Sequence, residues 1–112
     1  DLSNKDLTGT ILTGADLSDR DLSNVILIRA NLENAILKNS VLLDANLDSA
    51  NLINADLRNT LLADANLSNA ILKRVDLSNA VLTGAILSGA DLENAILINA
   101  ILNCVGHPIC TS

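Results

Sequence analysis

The sequence predicts an all-β solenoid, a rod built by a chain that turns once every five residues, and two observations carry that prediction. Leu occupies every fifth position without exception from Leu2, Leu7 and Leu12 to Leu97 and Leu102, twenty-one in a row. Two residues after Leu, 17 of 21 positions are Asn, Gly or Asp, the types that most readily adopt turn conformations. On an α-helix a step of five residues rotates about 500°, so the leucines would wind around the whole circumference. On a flat strand an odd spacing sends successive leucines to opposite faces. Only a chain that bends at every repeat gathers them on one side.

The remaining slots of the repeat agree. Two residues before Leu, 13 of 20 positions are Ala, so a small residue shares the inner side with Leu. Alternation then places the residues just before and just after Leu on the outer surface, where Asp16, Ser18, Asn31, Lys38 and Arg58 face water. Corners fall at positions such as Asn4, Gly14, Asp44 and Asn99. The chain has 49% hydrophobic residues but no Phe, Tyr, Trp or Met, which suits a core of regular layers with no irregular gaps to fill.

The units Ala15-Asp16-Leu17-Ser18-Asp19, Ala45-Asn46-Leu47-Asp48-Ser49 and Ala65-Asn66-Leu67-Ser68-Asn69 resemble the pentapeptide-repeat consensus A(D/N)LXX. The resemblance runs from residue 1 to about residue 104. It implies a right-handed quadrilateral parallel β-helix with four pentads per coil, and so about five coils in a rod roughly 25 Å long. The residues alone leave the number of sides open. Ile11, Ile26, Val41, Ile71, Ile86 and Ile101 fit a 15-residue spacing at least as well as a 20-residue one, which leaves a three-sided helix in play.

The two ends depart from the pattern. Lys5 and Arg20 occupy the inward slot that Ala fills elsewhere, and are expected to form an N-terminal rim, stems over the open core and charged heads in water. Residues 1–103 form the predicted β-helix and residues 104–112 a cap loop. There His107 stands where the next Leu should fall, and Pro108 lacks the N–H that an inter-coil ladder needs. Cys104 and Cys110 are the candidate disulfide, worth about 2 kcal/mol in the chain-entropy model. Together with His107 they make a poor zinc site, because no fourth ligand is near, and no metal or other cofactor is expected. A disulfide favours a periplasm or thylakoid lumen; two free thiols would favour the cytoplasm. The chain begins in register at Asp1 without an initiator Met, which suggests a processed product or a fragment.

Function classes narrow by elimination. A net charge of −6, from 13 acidic and 7 basic residues with no basic cluster, argues against direct nucleic-acid binding. No apolar run approaches the ~18 residues of a membrane span. With one His, in the cap loop, and no hydroxyl beside an evident base, no nucleophile and base can be paired, so the chain is read as a non-enzyme. A structural or protein-interaction module follows, with an unknown protein partner or a homodimer as its ligand. The resemblance also implies an alternative, a DNA-mimicking gyrase-binding protein, although those relatives favour central Phe and this chain has Leu throughout. Binding to ice is disfavoured because Thr8, Thr13 and Thr83 do not share a column. Under a 20-residue coil one outer face stands apart. Val41, Leu43, Leu61, Ala63 and Val81 form a contiguous apolar strip on it, the expected interaction surface.

Overall fold

The computed structural model describes residues 1–111. It is a right-handed quadrilateral β-helix measuring 31 × 22 × 22 Å, somewhat longer than the stacked coils alone would be. Parallel bridges pair residues twenty apart, from Asp6 with Ile26 to Val81 with Ile101. That register settles the number of sides: four pentads make one coil, and the three-sided alternative is excluded. We number the walls one to four by the pentads around Leu42, Leu47, Leu52 and Leu57.

In the middle coils a pentad with Asp or Asn before its Leu satisfies all five of its backbone donors. In the repeat around Leu57 and Leu62, the Leu57 N–H donates to the Asp76 carbonyl in the next coil and the Asn59 N–H to that of Ser78. The Leu61 N–H reaches back to Ser40. The Thr60 N–H closes a β-turn onto Leu57. The fifth donor, on the residue after Leu, goes to a side chain: Arg58 N–H donates to Asp56 Oδ1 at 3.1 Å. The same bond joins Ser18 to Asp16, Glu33 to Asn31 and Ser68 to Asn66. This is the physical reason for Asp or Asn just before Leu, because a buried or half-buried N–H without a partner is costly.

The corners explain the other biased slot. Every fifth residue from Asn4 to Asn99 has a positive φ, as the third residue of a type II turn requires. Asn tolerates that region better than other residues bearing a Cβ, and Asn39 and Asn59 stack there, Nδ2 to Oδ1 at 3.1 Å. At Gly84 the space that a Cβ would take is occupied by the carboxylate of Asp64 in the coil below.

Inside, the Leu at every fifth position from Leu17 to Leu87 is buried, with Ala or Val in the neighbouring inward slot except at Arg20, Ser40 and Thr60. Each contributes roughly 1.5–3 kcal/mol relative to exposure. Leu2, Leu7, Leu12, Leu92, Leu97 and Leu102, in the two end coils, are only partly buried, since each lacks a neighbouring layer. Lys5 and Arg20 are exposed at the N-terminal rim. At the other end the final pentad is one residue short, so Ile86 bridges Val105 in place of residue 106. Cys104 is joined to Cys110, and the Thr111 N–H donates to the Leu102 carbonyl at 2.6 Å. That loop packs Ile109 and Cys110 against the last layer.

Candidate interaction surface

Wall one carries the strip. Val41 bridges Leu61 and Leu61 bridges Val81 in consecutive coils, and Leu43 and Ala63 flank them one pleat away. The stacking follows from the register: twenty residues return the chain to the same wall, so each outward position becomes a column. Leu61 is 40% exposed, and Val41, Leu43, Ala63 and Val81 are half-buried by their column neighbours. The column ends in Asp1 and Asp21 below and Ile101 above.

The strip also changes the local hydrogen bonding. With Val41, Leu61 and Val81 in the slot that usually holds Asp or Asn, the N–H groups of Leu43, Ala63 and Thr83 have no partner among the described residues. They form a short row of donors beside the apolar residues. Along the two corners of the wall run Asn39, Asn59 and Asn79 on one side and Asp44 and Asp64 on the other, all exposed.

Wall four is the polar counterpart. Arg58 donates from Nε and Nη2 to Asp56 Oδ1 and Oδ2 at 2.9 and 2.7 Å, and its Nε lies 3.9 Å from Asp76 Oδ2 in the next coil. That guanidinium holds the Asp56 carboxyl below the ordinary carboxylate range. The Ser18 hydroxyl does the same for Asp16. These are exposed or half-exposed pairs that fix the surface more than they stabilise it.

Besides Ile11, which is 81% exposed in the first coil, three residues stand well above the strip in exposure and were not singled out as a site in the sequence: Ile98 at 63%, Val105 at 56% and Ile101 at 51%. They lie at the C-terminal end, where no further coil shields an outward side chain. The only signal was their place in the count of repeats. The cap residues do not assemble a metal site. Both cysteine sulfurs are joined to each other, and His107 Nδ1 accepts the Ile109 N–H at 3.2 Å. Among the described residues no cavity is present, and no helix is long and apolar enough to cross a membrane.

A family model described as pentapeptide repeats matches residues 1–27, 26–62 and 60–99. Among solved structures, the chain is similar to HetL, a pentapeptide repeat protein involved in heterocyst differentiation regulation from the cyanobacterium Nostoc sp. strain PCC 7120. Identity is 34% and the TM-score 0.88, over 92% of this chain and 49% of that one, so the chain spans about half the length of HetL. It is similar to Rfr23 from the cyanobacterium Cyanothece 51142 at 31% identity and a TM-score of 0.80, over 93% of this chain and 89% of that one. A pentapeptide repeat protein of the Arabidopsis thaliana thylakoid lumen matches at 28% identity and a TM-score of 0.61, covering 96% and 72%. No curated protein matches the chain.

Proposed function

The chain belongs to the pentapeptide-repeat family, and from that premise we propose that it is a non-enzymatic structural or protein-interaction module that docks a protein through wall one. The observation that carries the reading is the column Val41, Leu61, Val81: three consecutive coils place an apolar side chain on one flat wall, with Leu43 and Ala63 beside it. Elsewhere the same columns interleave Asp, Asn, Lys or Arg with their isoleucines, as in Asp16, Ile36, Asp56, Asp76 and Ile96. A flat apolar strip lowers the cost of desolvation when a partner arrives, while a polar wall resists it. The net charge of −6 supports a protein ligand over direct nucleic-acid binding.

Residues 1–103 serve as the rigid rod in this proposal and residues 104–111 as its cap, with Ser112 of the expected 104–112 cap outside the described residues. The Cys104–Cys110 bond and the likeness to a thylakoid-lumen protein support an oxidising compartment, a periplasm or thylakoid lumen. Thiol alkylation and mass spectrometry on protein purified without reductant should find neither cysteine alkylated; two alkylated cysteines would remove the argument for that compartment. The docking reading is tested by capture from the native compartment. Leu61→Glu, with its melting temperature unchanged, should lose the proteins that the wild type retains. Unchanged capture would assign the strip to packing alone.

A further inference from the structure

Resting on the reading of wall one as the docking face, we propose that its occupant is a second copy of this chain, the two rods lying side by side and parallel about a twofold axis along the rod. Size, charge and register each bear on this. A wall of the 31 × 22 × 22 Å rod offers at most about 700 Å2, so two walls together bury at most about 1,400 Å2, enough for a specific but weak interface. A second copy also has the same spacing between coils, about 4.8 Å, so its columns stay in step with those of the first along the whole wall.

Charge selects the orientation. In the parallel arrangement each wall's left corner meets its partner's right corner at nearly the same height. Asn39 then stands opposite Asp44 of the second copy and Asn59 opposite Asp64, amide donors against carboxylates. In the antiparallel arrangement like corners meet, and Asp44 and Asp64 of both copies crowd one edge, each close pair costing about 1 kcal/mol even in water. Shape agrees. Parallel rods set Leu61 against Ala63 of the second copy and Val41 against Leu43, whereas antiparallel rods lay the Asp21 carboxylate on Ile101. The unpartnered N–H groups of Leu43, Ala63 and Thr83 find no acceptor on an apolar strip, so the interface retains bridging water, which keeps it weak.

Sedimentation of the oxidised protein up to about 1 mM reads the association directly. The wild type should shift from monomer to dimer with concentration, and Leu61→Glu should weaken the dissociation constant at least tenfold while keeping its melting temperature; if that variant unfolds, Ala63→Glu takes its place. Orientation is read with a short bis-maleimide. A mixture of Asn59→Cys and Asp64→Cys chains should give a covalent dimer that neither variant gives alone. Asn59→Cys linking to itself would overturn the parallel arrangement. A wild type that stays monomeric would overturn the second copy. If Leu61→Glu nevertheless lost a captured protein, the docking reading would survive; if it lost none, both would fall.

Discussion

Walls one and four share a backbone, a corner geometry and a Leu column, yet their chemistry is reversed. Wall four keeps Ala35, Ala55 and Val75 inside and sets Asp56, Arg58 and Asp76 outside. Wall one sets Val41, Leu61 and Val81 outside and holds inside the two buried polar residues found among the described residues, Ser40 and Thr60. Neither hydroxyl is stranded: Ser40 donates to the Leu37 carbonyl at 2.5 Å and Thr60 to that of Leu57 at 2.8 Å. The difference teaches that the fold demands Leu inside and a left-handed corner, and leaves the outer pair of each pentad free to vary. A functional signal in this architecture therefore lies in outward columns.

The largest effect should be the same on both walls. Leu57→Asp and Leu62→Asp each place a charge in a column where the native residues are fully enclosed, at a cost of more than about 4 kcal/mol, and both should abolish the cooperative melt. Arg58→Asp and Ala63→Asp, one residue outward, should stay within about 1 kcal/mol of wild type. A wall that tolerated the inward change would not belong to the shared core.

A smaller effect tests the corner between the walls. Asn59 sits at φ 60 and stacks on Asn39, so Asn59→Ala should cost about 1 kcal/mol by chemical denaturation. Asn59→Gly should cost less than Ala, since Gly enters that region without a steric penalty. Equal losses would shift the explanation from backbone conformation to the amide stack.

The inward hydroxyls of wall one rank next. Thr60→Val keeps the shape and removes one bond, while the Leu57 carbonyl still accepts the Thr60 N–H, so the loss should not exceed about 1 kcal/mol. A larger loss would make the hydroxyl a structural requirement of wall one that wall four lacks.

The smallest effect concerns acid. Asp56 is held below the ordinary value of 3.8 in the folded state by the Arg58 hydrogen bond. A depressed folded pKa adds stability that is complete above the unfolded value and is lost as pH falls through the folded one. The melting temperature should therefore decline below about pH 4, and Asp56→Asn should make the decline shallower. Replacing Leu61, on the uncharged strip, should leave the slope unchanged.

Much of this molecule is legible in the Leu period, because a five-residue spacing admits neither helix nor flat strand and every corner then needs a turn-tolerant residue. Asn59 and Gly84, Leu52 and Ala55, and the break at His107 can all be placed from that rule, while the Cys104–Cys110 candidate rested on two cysteines sharing one short loop. The number of walls could not, since Ile11, Ile26, Val41, Ile71, Ile86 and Ile101 follow a 15-residue spacing at least as well as a 20-residue one. A local repeat specifies each bend and is silent on how many bends close a coil; closure is decided by the pairing of Val41 with Leu61 and its equivalents across the whole ring. Exposure also belonged to the tertiary structure. Leu61 and Ile98 are both outward aliphatic residues, but coils above and below shield Leu61 to 40%, while Ile98 lies in the last full coil and reaches 63%. Shielding depends on what is stacked against a side chain, and only the assembled rod supplies that.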